Sequence, residues 1–411
     1  MSAEPEFFWA VGIENTVNPA LGWDQYAWTA HRDLWREDLQ RAANLGVRLI
    51  RYGLPWPDLN PAPGTFDWTW ADAAMAELER LGLEPIWDLL HFGAPAWLPA
   101  GLRDKAYPQA VADYAGAFVA RYPHVTRITP FNEPYIWAFF SGGNGTWAPH
   151  GTTDLGFAEA LVPILRGLRQ SIQAIRAANP RAEIWLNDGA DRFTAAVPEL
   201  AGLAGHLTGW RYAGFDFLHG RAAPDTPLYA LLLEAGMSPG ELDEARRDST
   251  PADVIGLDYY PGSEHLLKSP DAPKHPGDWG RRSDYRLYPD PDPPGLAATL
   301  LEYHARYGRP LYVAETSTDT RREEWLQWLS AEVLRAREGG ASVLGATWWP
   351  LFDHIDWNSG LTQLRGTVCP SGLYHLTPQI TDRQPDAAAD FFRTFIRQPL
   401  RAYGVRPAFP T

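Results

Sequence analysis

Residues 125–134 read Val-Thr-Arg-Ile-Thr-Pro-Phe-Asn-Glu-Pro, a run that predicts a β-strand ending in a glutamate, Glu133. A second run, residues 310–315, reads Pro-Leu-Tyr-Val-Ala-Glu and predicts another strand that ends at Glu315. A carboxylate at the carboxyl end of a buried strand lies on a rigid element, where barrel enzymes keep their catalytic residues. Two such carboxylates from different strands can converge on one bond.

Strand-like and helix-like patterns alternate along the whole chain, which favours a barrel over a doubly wound sheet. The eight predicted strands are Phe7–Ile13, Val47–Tyr52, Glu84–Leu90, the strand of Glu133, Ala182–Asn187, Asp253–Tyr259, the strand of Glu315 and Ala341–Trp349. Helical patterns separate them, among them Arg32–Leu45 and Leu296–Tyr307. We therefore predict an α/β protein with a single (β/α)8 TIM barrel, and one domain over residues 1–411.

Polar and aromatic side chains stand at the carboxyl ends of the predicted strands. They are Arg51, His91, Asn132-Glu133, Asn187-Asp188, Tyr259-Tyr260, Glu315 and Trp348-Trp349. Their residue types were not used to place the strands. Their positions therefore support the barrel independently, because active sites of this fold lie at the carboxyl ends of the strands.

The composition excludes several classes of function. Of the 411 residues, 45% are apolar, which is ample for a large core, and the net charge of −14 argues against nucleic-acid binding. The single cysteine, Cys369, excludes an internal disulfide and a multi-cysteine metal site. No apolar run approaches the roughly 20 residues that span a membrane, and we see no secretory signal, so a soluble cytoplasmic protein is expected. No helical histidine pair or phosphate-binding glycine loop appears, so no metal and no cofactor is expected.

Residues 261–294, after the sixth predicted strand, are rich in proline, aspartate and glycine. Such a long loop is usually functional or mobile. It is either a variable surface loop or a cap over the barrel mouth. In the second case, we expect Trp279, Arg281, Arg282 and Tyr285 to reach a ligand.

Five motifs follow one another along the chain at predicted strand ends. They are Arg51–Trp56 (Arg-Tyr-Gly-Leu-Pro-Trp), His91–Leu98 (His-Phe-Gly-Ala-Pro-Ala-Trp-Leu), Asn132–Pro134 (Asn-Glu-Pro), Asp253–Tyr260 (Asp-Val-Ile-Gly-Leu-Asp-Tyr-Tyr) and Trp349–Trp357 (Trp-Pro-Leu-Phe-Asp-His-Ile-Asp-Trp). The series resembles that of glycoside hydrolase family 1, within a clan of retaining barrel glycosidases. The resemblance covers nearly the whole chain in the right order, and a closely neighbouring family of the clan also fits.

The resemblance implies that Glu133 is the general acid/base and Glu315 the nucleophile. Hydrolysis of a glycosidic bond commonly uses such a pair of carboxyls. The nucleophile must stay ionised, so it needs a positive or hydrogen-bonding neighbour, and the family places Arg51 and Tyr260 there. The residues alone leave Arg51 open as a plain ion pair and Tyr260 as ordinary core.

The same resemblance implies the sugar-binding residues. We expect Asn132 to contact the 2-hydroxyl and His91 the 3-hydroxyl, although a lone histidine is often a core residue. Trp349 is expected to form a stacking floor under the sugar ring. Trp357 and Asp356 are expected to bind the outer hydroxyls.

Several positions depart from the family pattern. Asp258 stands where asparagine is usual, Asp356 replaces a glutamate and His354 replaces an asparagine. The nucleophile motif continues Glu-Thr-Ser rather than Glu-Asn-Gly, and the segment around Glu14 does not align cleanly with the family's glutamine. The departures fall among recognition positions, so the sequence supports the chemistry and leaves the sugar open.

The sequence therefore predicts a retaining β-glycosidase that hydrolyses small β-linked glycosides, similar to a β-glucosidase. Its expected partner is a carbohydrate substrate, with no nucleic acid and no membrane, and the oligomeric state is open. Two alternatives stay open. One is an endo-acting or transglycosylating enzyme of the same clan, and the other is a non-catalytic sugar-binding barrel.

Overall fold

A computed structural model describes residues 6–403 of the chain. Eight parallel strands close into a barrel in which each strand pairs with its neighbours in sequence and the last pairs with the first. The strands are β1 (Phe8–Gly12), β2 (Leu49–Tyr52), β3 (Glu84–Asp88), β4 (Arg127–Thr129), β5 (Glu183–Gly189), β6 (Val254–Asp258), β7 (Leu311–Thr316) and β8 (Val343–Trp348). The predicted (β/α)8 barrel is confirmed.

Helices connect the strands around the outside of the barrel. Those of eight or more residues are His31–Asn44, Thr69–Leu81, Tyr107–Arg121, Asp154–Ala178, Ala201–Trp210, Pro227–Glu234, Pro239–Arg247, Leu296–Tyr307, Arg322–Glu338 and Ala387–Phe395. Shorter helices are Gln25–Trp28, Trp56–Leu59, Pro134–Ala138 and Ala213–Leu218, and Phe139–Gly143 forms a π-helical turn. In the described part of the chain, no helix has both the length and the apolar composition to cross a membrane.

The amino-terminal end of the barrel interior is filled with side chains. Ile86, Trp185, Val254, Tyr312 and Ala314 form a buried cluster there, and none of the five is more than 5% exposed. Packed layers of this kind make the barrel a core and not a pore. Open space for a ligand is therefore found at the carboxyl ends of the strands.

The backbone around Glu133 differs from the prediction. Strand β4 ends at Thr129, and Glu133 follows it with a left-handed backbone, φ 49° and ψ 64°. The predicted strand thus ends four residues before Glu133, and Pro134 begins a helix, although the residue before a proline is usually extended. Proline is favoured in the first turn of a helix, and the Asp188 carboxylate accepts the Tyr135 N–H at 2.9 Å, which stabilises the helix Pro134–Ala138.

The segment 261–294 contains regular structure that its composition did not predict. Strands Glu264–Lys268 and Arg286–Pro289 pair with each other, and Glu264–Lys268 also pairs with Arg192–Ala195. A small three-stranded sheet therefore stands beside the barrel mouth. Pairing across some 70 residues of sequence supplies the hydrogen bonds, and local composition carries no signal of it.

Gly12, the last residue of β1, gives space to the indole ring of Trp349. A β-carbon on Gly12 would lie 2.0 Å from a ring atom of Trp349. No side chain fits there unless the ring moves. A strand-end glycine thus fixes where the Trp349 ring lies.

Gly12→Ala is therefore expected to destabilise the protein by about 1–3 kcal/mol, the usual range for overpacking a core. Urea unfolding followed by tryptophan fluorescence measures this. Gly209→Ala is the matched control, because its added methyl meets no atom within 4 Å on an exposed helix surface. Equal stability of the Gly12 variant and wild type would show that the ring position does not depend on this glycine.

Candidate active site

A cavity of about 630 Å³ opens at the carboxyl ends of the strands. Six of the nine predicted site residues line it: His91, Glu133, Tyr260, Glu315, Trp349 and Trp357. Arg51 and Asn132 lie just behind them, fully buried, and bond to residues of this wall. The fold thus gathers eight of the nine residues from six different strand ends.

Glu315 lies within strand β7 and is held at both carboxylate oxygens. Arg51 Nη1 donates to Oε1, and the Tyr260 hydroxyl donates to Oε2 at 2.8 Å. Burial raises the pKa of Glu315 above its ordinary value, while the charge of Arg51 and the Tyr260 hydrogen bond oppose that rise. Glu315 is therefore the carboxyl of the cavity whose ionised form is best supported.

Arg51, at the end of β2, links several strand ends beneath the cavity. Its Nη2 donates to Asp88 at 2.9 Å and to Asn132 at 2.6 Å, and its guanidinium lies 4.7 Å from the ring centre of Trp349. Burial lowers the pKa of Arg51, but the charges of Asp88 and Glu315 outweigh burial and raise it above its ordinary value. A permanent positive charge is thus fixed below the nucleophile candidate.

His91 is oriented by two neighbours. Its Nδ1 lies 2.8 Å from Asp88 Oδ2, and its Nε2 lies 3.1 Å from Asn132 Nδ2. The ring is nearly parallel to that of Trp349, at 3° and a centre distance of 5.6 Å. Burial lowers the pKa of His91, but the charge and hydrogen bond of Asp88 outweigh it and raise the value overall.

Glu133 faces Glu315 across the cavity without a cation of its own. Its nearest polar side-chain contact is Asn132 Nδ2 at 3.4 Å, and within residues 6–403 it forms no ion pair. Burial raises the pKa of Glu133 well above its ordinary value, and negative charge on Asp258, when that group is ionised, and on Glu315 raises it further. Both effects favour the protonated form of Glu133.

Trp349 and Glu14 form part of one wall. Trp349 Nε1 donates to Glu14 Oε2 at 3.2 Å, and the Thr16 N–H donates to Glu14 Oε1 at 2.9 Å. Both side chains line the cavity, as expected for Trp349. Glu14 was not predicted as a site residue, and the misaligned opening segment was the only signal of it.

Trp357 and His354 line the cavity with unused nitrogens. Trp357 Nε1 and His354 Nδ1 are both buried, and neither has a hydrogen-bond partner among the described residues. Such atoms are costly to bury unless a ligand or water satisfies them. Trp357 therefore suits the predicted contact with sugar hydroxyls, and His354 joins it as an additional candidate.

Asp356 does not reach the cavity, contrary to the prediction. Its Oδ2 accepts the N–H groups of Arg365 and Gly366 at 2.8 and 2.9 Å, and its Oδ1 accepts that of Thr367 at 2.7 Å. Because three backbone N–H groups bond to this buried carboxylate, its role is to hold the loop in shape. The side chain is one methylene shorter than the usual glutamate and follows a left-handed backbone, φ 59°, so it turns into its own loop.

The segment 261–294, which contains two strands of the three-stranded sheet, forms the outer wall of the cavity. Trp279, His265, His275, Leu287 and Tyr288 line the cavity from it. They face Phe139 and Phe140, which follow Glu133. Trp279 thus reaches the cavity, whereas Arg281, Arg282 and Tyr285 are not part of its wall.

Comparison with known proteins finds glycosidases similar to this chain. A family model described as β-galactosidase, of glycoside hydrolase family 42, matches residues 25–115. A bifunctional β-D-glucosidase/β-D-fucosidase of Bifidobacterium breve is 27% identical, over 91% of this chain and 92% of that protein. β-Glucosidase A of Thermotoga maritima is 22% identical, over 82% of this chain and 81% of that protein.

Solved structures show the same fold. The family 1 β-glucosidase from Thermotoga maritima superposes with a TM-score of 0.77 at 17% identity, and the match covers 95% of this chain and 97% of the other. Its complex with glucoimidazole matches with the same TM-score at 16% identity. The motifs, the barrel and these relatives agree: the chain is a relative of the β-glucosidases of glycoside hydrolase family 1, or of a closely neighbouring family of the same clan.

Proposed function

We propose that the protein is a retaining β-glycosidase that hydrolyses small β-linked glycosides by double displacement. The observation that carries the proposal is that two buried carboxyl groups in one cavity have different bonding partners. Glu315 is bound by Arg51 and Tyr260, whereas Glu133 forms no ion pair with any residue from 6 to 403. A retaining enzyme needs this pairing of one ionised and one protonated carboxyl at the start of its cycle.

In the first step, Glu315 attacks the anomeric carbon as the bond to the leaving oxygen breaks. Glu133 gives its proton to that oxygen. Trp349 supports the sugar ring, and we expect the Asn132 amide, which Arg51 holds in position, to bond a ring hydroxyl. A covalent glycosyl–Glu315 ester and a free alcohol result.

In the second step, water replaces the alcohol. Esterification removes the negative charge of Glu315, which is one of the charges that raise the pKa of Glu133. The pKa of Glu133 then falls, so that its carboxylate can take a proton from the attacking water. The water oxygen bonds to the anomeric carbon, and Glu315 leaves as a carboxylate.

We propose β-D-glucosides and β-D-fucosides as the first substrates to examine, because the Bifidobacterium breve relative is named for both. These sugars differ at the outer positions C4 and C6. Asp356 is fixed by backbone donors, so the neutral nitrogens of Trp357 and His354 are left for that end of the sugar. Neutral groups suit an uncharged sugar and supply no positive charge for a phosphate.

We also propose that residues 1–411 act as one catalytic domain in the cytoplasm. The support is the closed barrel, because its strand ends supply the residues of the proposed site. Whether the enzyme trims single sugars or cuts internally is a separate question. The products released from short oligosaccharides distinguish the two modes.

A panel of 4-nitrophenyl glycosides tests the activity. We expect release of nitrophenol from β-D-glucoside or β-D-fucoside but not from α-D-glucoside, and proton NMR should show the β-anomer of the sugar appearing first. Glu315→Gly is the matched control and should release none. An α-anomer formed first would contradict retention, and sugar binding without turnover across the panel would indicate a binding protein.

Glu133→Ala is expected to depend strongly on the leaving group. Loss of a general acid typically costs about 10²–10⁴-fold. The loss should be large for alkyl glycosides and much smaller for 2,4-dinitrophenyl glycosides, which need no proton. Azide, a small nucleophile that needs no base, should restore part of the turnover of activated substrates. Equal losses on both substrate types without azide rescue would remove Glu133 from the acid/base role.

Glu133→Gln is expected to stabilise the fold, increasingly so at higher pH. The folded-state pKa of Glu133 is raised, so wild type loses stability as the pH rises from the unfolded value of about 4.3 towards the folded one. Glutamine does not ionise. Urea unfolding at pH 4 and pH 8 should therefore show a stabilisation at pH 8 that is small at pH 4. Glu37→Gln, at an exposed site, is the control, and a pH-independent difference would contradict the unpaired burial of Glu133.

A further inference from the structure

Asp258 is a third carboxyl in the cavity wall. It is the last residue of β6, where it lies beside Glu315 of β7 on one side and Gly189 of β5 on the other. Its side chain lines the cavity and is 1% exposed. The proposed reaction gives it no task so far.

The two oxygens of Asp258 are in different situations. Oδ2 accepts a hydrogen bond from Asn187 Nδ2, and that amide also donates to Asn132 Oδ1 at 2.7 Å. Oδ1 is buried and has no hydrogen-bond partner within residues 6–403. A carboxylate oxygen without a donor is costly in a buried site, whereas a hydroxyl there only needs an acceptor from the ligand.

The surrounding charges favour the neutral form. Negative charge on Glu315 or Asp188 raises the pKa of Asp258, and negative charge on Asp258 raises the pKa of Glu133. The ion pairs of Arg51 go to Glu315 and Asp88, and Asp258 forms none in the described chain. An ionised Asp258 would thus be a buried charge without a counterion beside other carboxyls.

The acidity of Asp258 agrees with this geometry. Burial raises the pKa of Asp258 well above its ordinary value, and Glu315 and Asp188 raise it further, while Arg51 and the Asn187 hydrogen bond oppose the rise. Other groups that face it are the Tyr260 and Tyr312 hydroxyls, whose own pKa values are raised by burial and, in part, by Asp258.

We propose that Asp258 binds the glycoside as a neutral carboxylic acid, with Oδ2 accepting from Asn187 and the Oδ1 hydroxyl donating to an oxygen of the bound sugar. This rests on the proposed glycosidase function. A protonated aspartate presents one acceptor and one donor, the same pattern as an asparagine amide. The aspartate therefore reproduces the asparagine usual in the resembling family, but only while it holds its proton. The substitution makes sugar binding sensitive to pH.

Two variants and a spectrum test the proposal. Asp258→Asn keeps a donor at every pH, and Asp258→Leu has a similar size and none. On the 4-nitrophenyl β-D-glycoside that wild type hydrolyses best, the leucine variant should lose about tenfold more kcat/KM than the asparagine variant, the effect of one lost hydrogen bond to a ligand. As pH rises through the Asp258 ionisation, the ratio of wild type to Asp258→Asn in kcat/KM should fall.

The infrared difference spectrum between wild type and Asp258→Asn at neutral pH should contain the carbonyl band of a carboxylic acid. The exposed control Glu37→Gln should not show this band. A carboxylate band, or a kinetic ratio that rises with pH, would overturn the proposal, because an ionised Asp258 would instead support the proton on Glu133. Equal losses in the asparagine and leucine variants would overturn the donor role.

The spectrum needs no turnover and no leucine variant. If wild type hydrolyses none of the glycosides, the proposed function fails, and the spectrum still decides whether Asp258 is protonated. If wild type is active and the acid band is absent, the inference about Asp258 fails and the function stands.

Discussion

The buried guanidinium of Arg51 is the interaction on which the site depends. It bonds to Glu315 from β7, Asp88 from β3 and Asn132 after β4, and it lies under the Trp349 ring after β8. A planar group with donors in fixed directions can hold several strand ends in register at once. Removing it would leave the buried Glu315 without its ion pair and Asp88 with only His91, so its loss would disturb fold and chemistry together.

The fixed charge of Arg51 also explains why neighbouring carboxyl groups differ in how readily they ionise. Burial raises the pKa values of Glu315, Glu133, Asp258 and Asp188 alike. Of these four carboxyl groups, only Glu315 forms an ion pair with Arg51, and this ion pair favours its ionised form. Asp188 takes its compensation from backbone N–H groups at the start of the helix Pro134–Ala138. The position of each carboxyl group relative to Arg51 thus determines how readily it ionises, although all four groups have the same chemistry.

The sequence predicted what local pattern controls. The helix Leu296–Tyr307 has the predicted bounds, because its apolar spacing and the following glycine are local signals. The four helices between residues 201 and 247 and the sheet strands of 261–294 were not predicted, since they depend on distant partners. Glu133 and Glu315, the proposed catalytic pair, were predicted from strand ends and motifs. The backbone of Glu133 and the inward turn of Asp356 are set by tertiary contacts, which single-residue preferences do not contain.

The three-stranded sheet at the cavity mouth has a consequence for how such enzymes diversify. Tyr288 and Leu287 lie on one of its strands and Trp279 on the connection between two of them, apart from strand β7 of Glu315 and from the segment after β4 that carries Glu133. Side chains in this sheet can therefore be exchanged without altering the hydrogen bonds of the catalytic carboxyls. Natural variation and laboratory evolution can change which leaving group is accepted while the bond-breaking centre is conserved. Trp279 and Tyr288 are half-buried, so changes at these two positions cost the fold less than changes at Leu287, which belongs to the hydrophobic core.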